Sequence, residues 1–397
     1  MSEVTEIIHD HPGLAWDYTQ KGWTACVVSN QEATLGIGDQ GASSAVIEGK
    51  AALIMSLGGV NCVPLSTDTY GMNDAEKTEF LAQFAARGSV GFGVVMFEDI
   101  PGRLSQPVVS RTRQILTELD KVRDGAAEVP VFHDDRDGTK GIVLTAAINS
   151  CRATGRALKD ANVAIIGAGA AADGIHEILV AAGVPREHII VCDSDGPLYA
   201  GREGIKGTYK EGMAIPTKAR TVKQACDGRD VIISVAKVGA LLPQDLEGAA
   251  KDFIYFGLEN PSPAVLVKDA RRMGAAVVVT GSGADKTPQA NNMYVFPGTV
   301  RGCLEVRARN IEPKDYVNAA FDLAMLVNDE DIKRGVILPP LGPESTATIA
   351  AGIATSIMER DAARLDVEPI DIQERVRKDL ERIQETAERE ARRYKPS

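Results

Sequence analysis

Short apolar runs alternate with helix-length segments along most of the chain, a pattern typical of a parallel α/β protein. In the first part of the chain, strands are predicted at 24–28, 91–97 and 129–133. Helical segments are predicted from about Ala42 to Leu57 and from Ile142 to Ala153. The second and third of these strands end directly in acidic pairs. Because α/β folds gather ligand-handling groups at the carboxyl ends of their strands, these acids are candidate site residues.

A second series of segments begins at Asn162 and predicts a Rossmann-type, doubly wound parallel sheet. The strand 162–166 leads into Gly167-Ala-Gly169-Ala-Ala-Ala172, a helical segment, and a strand at 189–192 that ends at Asp193. Helix-length segments separate the strands that follow, as parallel crossover connections require. Further buried strands are predicted at 231–235, 253–258 and 275–280.

Beyond about Asp366 the composition changes to dense alternating charge with one apolar stripe, which predicts a single long amphipathic helix. We expect this helix to pack on its own protomer or on a dimer partner. The stripe consists of Ile372, Val376, Leu380, Ile383 and Ala387. The predicted division is therefore an N-terminal α/β domain at 1–142, a Rossmann-type domain at 143–365 and a C-terminal helix at 366–397.

At 397 residues, the chain is long enough for two α/β domains. Its 44% hydrophobic and 25% charged residues are typical of a globular protein rather than a disordered one. The net charge of -11 disfavours nucleic acid and anionic membrane surfaces as partners, because both are polyanionic. The six scattered cysteines form no zinc-type pair and are predicted to be reduced core thiols. With neither a signal peptide nor a membrane-length apolar run, the protein is expected to act on a small molecule in the cytoplasm.

The glycine-rich turn after the strand 162–166 has the composition and the position of a dinucleotide-binding loop. Gly167 would permit the tight turn, Gly169 would let the backbone approach a pyrophosphate, and Ala172 would permit close helix packing. Asp193 would then bind the ribose. With Asp195 nearby, its charge favours NAD over NADP. The alternative is a glycine turn in an α/β domain that binds no nucleotide.

Glu98-Asp99 and Asp134-Asp135 form an oxygen-rich set at two predicted strand ends, which suits Mg²⁺ or Mn²⁺ and poorly suits zinc. Surface solvation would explain either acidic pair alone, but two pairs at the ends of buried strands favour a metal site. Lys50 lies in the apolar helical segment, where it either extends to water or is held in a dry site. A dry lysine beside a divalent cation would lose its proton more easily and could act as a base.

These features, together with a series of short motifs, resemble malic enzymes of the short bacterial type. The matching stretches follow the family's order from about residue 16 to residue 306. They are Tyr18-Thr-Gln-Lys-Gly, Leu35-Gly-Ile-Gly-Asp39, Glu48-Gly-Lys50-Ala, Phe97-Glu-Asp99, Phe132-His-Asp-Asp135, Gly138-Thr139, Gly167-Ala-Gly169, Cys192-Asp-Ser, Gly201-Arg-Glu-Gly204, Glu259-Asn260-Pro261, Asn291-Asn292 and Phe296-Pro-Gly298.

The resemblance implies that Glu98, Asp99 and Asp135 ligate the divalent metal. It implies that Lys50 takes the proton of the substrate hydroxyl, with Asp134 beside it. The implied reaction is hydride transfer from C2 of a small 2-hydroxy acid to NAD or NADP, followed by loss of the β-carboxylate as CO₂. Protonation of the resulting enol on carbon completes it.

The resemblance further implies that Asn260 and Asn292 hold the substrate and the nicotinamide end, and that the protein is a homodimer. Members of the family carry an N-terminal segment with a tyrosine that protonates the enol, and we expect this chain to lack it. Tyr18 aligns with a later family position, and Tyr70 is only a conceivable substitute for the tyrosine.

Two substitutions near the double aspartate also depart from the family pattern. Arg136-Asp137 replaces a Gln-His pair, and Lys140 replaces a small residue. Three hypotheses follow. The first is an oxidative decarboxylase of malate or a close analogue. The second is a specialised relative that oxidises a different acidic 2-hydroxy acid, and the third is a catalytically silent nucleotide-binding partner subunit.

Overall fold

Parallel strands carry both compact parts of the protein in the computed structural model, which describes residues 2–34, 44–123, 125–259 and 262–393. The strands are β1 (Thr24–Ser29), β2 (Asn61–Ser66), β3 (Val94–Phe97), β4 (Val131–His133), β5 (Val163–Ile166), β6 (Ile189–Asp193), β7 (Gly196–Pro197), β8 (Val231–Ser234), β9 (Ile254–Gly257) and β10 (Val277–Thr280). The helices are α1 (Ser2–Asp10), α2 (Ala15–Tyr18), α3 (Ser44–Leu53), α4 (Asp74–Gly88), α5 (Gly102–Asp120), α6 (Asp134–Ala153), α7 (Ala170–Ala181), α8 (Val222–Cys226), α9 (Val267–Arg272), α10 (Phe296–Glu305), α11 (Pro313–Met325), α12 (Asp329–Lys333), α13 (Pro343–Glu359) and α14 (Pro369–Arg393). The α/β class and the predicted strands are confirmed, and β2 and β7 are additional.

The chain divides into two compact units that do not follow its linear order, unlike the domains predicted at 1–142, 143–365 and 366–397. Two helices late in the chain, α10 and α13, belong to the first unit and pack closely on each other. A Cβ added at Gly298 would lie 2.7 Å from Ile349, and one at Gly302 would overlap the Ala350 carbonyl oxygen. The first unit contains residues 1–138, 293–319 and 341–397, and the second contains 139–292 and 320–340.

The first unit contains a parallel sheet with the strand order β2-β1-β3-β4. Its inner strands β1 and β3 are completely buried, as expected for a parallel sheet covered on both faces. The edge strand β2 contains Pro64, a residue that sheets tolerate at their edges because it has no N–H to donate. All four strands point the same way, so the residues after Ser29, Ser66, Phe97 and His133 lie along one edge.

Helix α6 begins at Asp134, eight residues before the helix start predicted at Ile142. The sequence 134–141 contains three aspartates and two glycines, which do not have an apolar helical pattern. Acidic residues are nevertheless favoured in the first turn of a helix, where the partial positive charge of the backbone N–H groups lies. The early start places Asp134 and Asp135 in that first turn, directly after β4.

The second unit contains a six-stranded sheet with the order β10-β9-β8-β5-β6-β7, parallel except for the two-residue strand β7. Its apolar strands are buried on both faces under helices, and a core that includes Ile166, Ile190, Ile232 and Tyr255 fills one side. The strand order confirms the predicted Rossmann-type sheet. After β5 the chain adds β6 and β7 on one side of this strand and then β8, β9 and β10 on the other, so the strand order reverses between β5 and β8.

The predicted C-terminal amphipathic helix is confirmed as α14, and it packs on its own chain. Ile372, Val376 and Leu380 are buried, and Asp379 accepts a hydrogen bond of 2.8 Å from the buried Arg301 of α10. All six cysteines are buried free thiols, as predicted. In the part of the chain that the structure describes, no helix has the length and apolar character needed to cross a membrane.

Candidate active site

Three carboxylates, from the end of β3 and the start of α6, meet at the carboxyl edge of the first sheet. One oxygen each from Glu98, Asp99 and Asp135 lies within 4.8 Å of the other two. Asp99 has a left-handed backbone with φ of 52°, a conformation that is uncommon for residues other than glycine, although aspartate and asparagine tolerate it better than most. The strand ends therefore bring together the three residues expected to ligate a metal.

The electrostatics of this cluster fit a divalent cation. Burial raises the pKa of Glu98 well above its usual range, although the Lys50 ammonium opposes this. Burial and the neighbouring Asp135 also raise the pKa of Asp99. Glu98 Oε2 is buried without a hydrogen-bond partner among the described residues. Carboxylates held in this way need protons or a hard cation, and Mg²⁺ and Mn²⁺ prefer oxygen ligands.

Lys50 extends from α3 onto the same cluster. Its Nζ donates a hydrogen bond to the fully buried Asp134, and it lies 3.0 Å from Glu98 Oε1. The ring of Phe296 covers the ammonium, with its centre 4.7 Å from Nζ. Only 12% of the Lys50 side chain is exposed, so this lysine is held in the site rather than extended to water.

The pKa of Lys50 is raised, which is opposite to the effect expected from burial. Burial lowers the pKa, but the charges of Asp134, Glu98 and Asp135 together outweigh it. The pKa of Asp134 is also raised, because burial outweighs the effect of the nearby ammonium. Lys50 and Asp134 are therefore a coupled proton-sharing pair, not a lysine that burial alone has deprotonated.

Three further polar residues lie around the expected metal ligands. Thr34 and His133 contact a ligand directly, and Ser105 contacts His133. The Thr34 hydroxyl lies 2.9 Å from Asp99 Oδ2. His133 is fully buried, with Nε2 3.2 Å from Asp135 Oδ2 and Nδ1 2.6 Å from Ser105 Oγ. His133 precedes the double aspartate in the sequence, but adjacency along a strand does not show which side its ring faces. Thr34 and Ser105 carry no local sequence signal.

The unusual charges near the double aspartate are paired within the protein. Arg136 Nη1 donates to Asp137 Oδ1 at 2.8 Å, and Arg136 Nε lies 2.8 Å from the side-chain amide of Gln106. Lys140 Nζ donates to Glu177 Oε2 at 2.8 Å. Both Arg136 and Lys140 are buried. Neither is therefore a free cation that would select a different acidic substrate, which weakens the second hypothesis.

The glycine turn of the second unit lies at the carboxyl end of β5, between β6 and β8, where doubly wound sheets bind their ligands. Gly167 has φ of 119°, and an added Cβ would lie 3.0 to 3.2 Å from Val235 and Ala236. At Gly169 no described atom lies within 4 Å of the corresponding position, which leaves room for a ligand. Ala172 is fully buried in the first turn of α7. These positions are those expected for a dinucleotide-binding loop.

Asp193 ends β6, as predicted, but two cations already bind its carboxylate. Arg202 Nη2 lies 2.8 Å from Oδ1, and Lys210 Nζ lies 2.8 Å from Oδ2. The Asp195 N–H donates to Oδ1 at 3.0 Å. Burial raises the pKa of Asp193, but these hydrogen bonds outweigh it, and the pKa is lowered overall. The two acids expected to repel a 2′-phosphate are thus accompanied by two cations, and their charge no longer favours NAD.

The remaining predicted residues are distributed as follows. Asn260 and the motif at 35–39 lie outside the described residues. Asn292 begins the single-turn helix Asn292–Tyr294 and is partly buried. Tyr18 and Tyr70 are 54% and 89% exposed, so neither is enclosed by the residues that the structure describes.

The doubly wound sheet with its glycine turn and the buried lysine and carboxylates define the class of nicotinamide-dependent oxidoreductases. Family comparison agrees with this class. The domain described as "Malic enzyme, NAD binding domain" matches residues 137–242 and 274–362, and the one described as "Malic enzyme, N-terminal domain" matches residues 6–87.

Individual relatives cover almost the whole chain. It is 32% identical over 385 residues to the bifunctional malic/malolactic enzyme of Bacillus subtilis, covering 95% of this chain and 89% of that protein. It is 32% identical over 381 residues to the NADP-dependent malic enzyme of Rhizobium meliloti, covering 91% of this chain and 48% of that protein. The crystal structure of Entamoeba histolytica malic enzyme matches with a TM-score of 0.87 and 27% identity, over 98% of this chain and 80% of that one. The chain belongs to the malic enzyme family.

Proposed function

We propose that this protein catalyses the metal-dependent oxidative decarboxylation of malate, or of a close 2-hydroxy acid with a β-carboxylate, with reduction of NAD or NADP. The observation that carries the proposal is the contact of Lys50 with Asp134 and Glu98, directly beside the three clustered carboxylate oxygens. This arrangement combines a proton acceptor with a site for a hard cation. Oxidation of a hydroxy acid followed by loss of CO₂ needs both.

The role of Lys50 follows from its pairing with Asp134. Oxidation at C2 sends a hydride to the nicotinamide, which supplies the electron acceptor, and the hydroxyl proton to a base of the protein. When the shared proton resides on Asp134, Lys50 is a neutral amine that can accept the hydroxyl proton. Burial raises the pKa of Asp134, but the surrounding carboxylates raise the pKa of Lys50 and hold the proton on the amine. A divalent cation on those carboxylates would weaken this hold and so favour the neutral amine. The Phe296 ring over Nζ excludes water from one side of the pair.

The three clustered carboxylates hold the cation in this proposal. A divalent metal on Glu98, Asp99 and Asp135 would supply Lewis acidity while the β-carboxylate leaves as CO₂. The protein contributes fixed ligand positions. Thr34 contacts Asp99, and Asp99 N–H lies 3.2 Å from Asp135 Oδ2 and links two of the ligands.

The choice between NAD and NADP turns on Asp193 and its two cations. A carboxylate without partners repels a 2′-phosphate, but here Arg202 and Lys210 balance Asp193 and Asp195. We propose that the protein uses both cofactors, with Lys210 as the cation that a 2′-phosphate would recruit. The name of the Rhizobium meliloti relative, an NADP-dependent malic enzyme, is consistent with this.

The direct test is turnover by the purified full-length protein with malate, Mn²⁺ and either NAD or NADP. We expect reduced nicotinamide and CO₂ in equal amounts, no reaction after chelation with EDTA, and no reaction with Asp135→Asn. Reduced nicotinamide from another hydroxy acid, but none from malate, would support the specialised relative instead. Tight binding of Mn²⁺ and NADH without turnover of any hydroxy acid would support the silent subunit. The homodimer stays a prediction, which the mass in solution tests.

A further inference from the structure

A buried histidine contacts the one expected metal ligand whose carboxylate is half-exposed. Asp135 has 41% of its side chain exposed, whereas the His133 ring is fully buried. Nε2 of His133 lies 3.2 Å from Asp135 Oδ2, in a close contact outside ideal hydrogen-bond geometry, and no other described residue hydrogen-bonds to it. The Asp99 N–H lies 3.2 Å from the same oxygen. The Asp99 N–H and the His133 ring nitrogen therefore both face Oδ2, which leaves Oδ1 as the Asp135 oxygen open to a cation.

The first turn of α5 holds the histidine ring in place. Ser105 is 2% exposed, and its Oγ lies 2.6 Å from His133 Nδ1. A carboxylate can only accept, so a neutral imidazole must carry its proton on Nε2 in order to donate to Asp135. Nδ1 is then the acceptor, and the Ser105 hydroxyl donates to it. Each donor in this chain of contacts therefore points the same way, from Ser105 to His133 and from His133 to Asp135.

The backbone of His133 is fixed by a second set of contacts. The His133 N–H donates to Asp137 Oδ2 at 3.0 Å, and Arg136 binds the other oxygen of Asp137. Arg136 in turn meets the side-chain amide of Gln106, the residue after Ser105. Neighbouring residues of α5 therefore hold both the ring and the backbone of His133, which accounts for the Arg136-Asp137 pair without any role in substrate selection.

We propose that His133, oriented by Ser105, is a positioning residue that presents Asp135 to the divalent metal. This inference rests on the metal site of the proposed function. Groups that hydrogen-bond to metal ligands fix the orientation of those ligands, and their loss typically weakens metal binding by about 10- to 100-fold. Ser105 and His133 thus contribute to metal affinity although neither is expected to touch the metal.

The test compares two substitutions of His133, each of which can replace a different ring nitrogen, with two substitutions of buried serines. A glutamine side chain can place its amide nitrogen near the position of Nε2, so His133→Gln keeps a donor to Asp135. The shorter asparagine reaches only the position of Nδ1, so His133→Asn loses that donor. Ser105→Ala removes the hydroxyl that orients the ring. Ser89→Ala is the matched control, because Ser89 is also a buried serine, and its hydroxyl has no partner among the described residues.

Mn²⁺ binding to the full-length protein is measured by electron paramagnetic resonance of the free ion, without substrate or nucleotide, and thermal unfolding verifies each fold. We expect Ser105→Ala and His133→Asn to weaken Mn²⁺ binding about 10- to 100-fold. His133→Gln and Ser89→Ala should stay within about 3-fold of the wild type. If Ser105→Ala folds and binds Mn²⁺ as the wild type does, while Asp135→Asn does not, the positioning role is wrong and the metal site stands. If Asp135→Asn also binds Mn²⁺ normally, both the inference and the metal site of the proposed function fail.

Discussion

The two sheet edges of this protein differ in how most of their acidic residues are compensated. At the first edge, burial raises the pKa values of Glu98, Asp99 and Asp134 although the Lys50 ammonium opposes this. Burial acts on Asp135 in the same direction, but the contact with His133 outweighs it and lowers the pKa of Asp135 to about 2. At the second edge, hydrogen bonds from Lys210 and Arg202 lower the pKa of Asp193 despite its burial. Acidic residues at the end of a strand therefore do not by themselves indicate a metal site. The surrounding charges decide whether they attract a cation or are already neutralised.

The edges also differ in what would bind a ligand. The first presents side-chain oxygens and an amine, so single substitutions should change its chemistry. The second presents backbone N–H groups at a glycine turn, where the helix N-terminus favours an anion. Substitutions there should act through space and backbone conformation.

The largest effect is expected at Lys50. Removing a residue that transfers a proton typically lowers the rate about 10²- to 10⁴-fold, so Lys50→Met should lower kcat with malate by that factor. Lys77→Met is the control, because Lys77 also pairs with a carboxylate, Glu32 at 2.7 Å, but lies outside the cluster. Steady-state kinetics with saturating Mn²⁺ measure the difference. Equal kcat values for the Lys50 and Lys77 variants would contradict a catalytic lysine.

Gly167 and Gly169 should separate backbone strain from ligand space. Gly167→Ala combines φ of 119° with a close approach to Val235, so we expect it to lower the free energy of unfolding by about 1–3 kcal/mol. Gly169→Ala meets no described atom and should change it by less than about 0.5 kcal/mol, while weakening NADH binding. Chemical denaturation and NADH fluorescence titration measure the two effects. A Gly169→Ala variant with normal NADH affinity would argue against a dinucleotide at this turn.

Lys210→Gln should change the cofactor preference without affecting the first edge. Losing one charge-assisted contact to a 2′-phosphate should raise the Kd for NADPH about 10-fold, or ~1.4 kcal/mol, and the Kd for NADH by less than about 2-fold. Both constants come from fluorescence titration. Because Lys210 also binds Asp193, a rise in both values by the same factor would instead indicate a structural role.

The smallest effects are opposite pH dependences of stability in the metal-free protein. The raised pKa of Asp99 means that the folded state binds more protons, so this residue lowers stability at neutral pH and the loss is relieved as the pH falls through that pKa. The lowered pKa of Asp193 means that its contribution is present above the unfolded value of about 3.9 and is lost as the pH falls through the folded pKa.

In EDTA at pH 7.5, Asp99→Asn should therefore raise Tm by about 2–4 °C and Asp193→Asn should lower it by a similar amount. Asparagine also tolerates the left-handed backbone of residue 99, so the substitution removes charge without adding strain. Thermal unfolding of both variants at pH 7.5, and of the wild type down to about pH 2.5, measures both effects because the Asp193 contribution is lost only below its unfolded pKa. Shifts of the same sign would show that the two edges do not differ in charge balance.

Much of this protein can be predicted from its sequence because the relevant signals are local. The apolar runs predict β1, β3, β4 and the strands of the second sheet other than β7, and the glycine turn with Asp193 predicts the dinucleotide edge. Strand ends followed by acids predict where Glu98, Asp99, Asp134 and Asp135 meet. The motifs in their order predict the malic enzyme family, which the comparisons confirm.

Only the tertiary structure decided which charges compensate one another. Arg202 and Lys210 neutralise Asp193, and Ser105 reaches His133 across 28 positions. No periodicity in the sequence predicts these pairs, because folding alone brings their members together. The pKa of Lys50 likewise depends on tertiary structure, because burial lowers it and three carboxylates from other parts of the chain raise it by more. Composition and spacing determine which elements form, whereas the balance of charge at a site depends on distances that only packing sets.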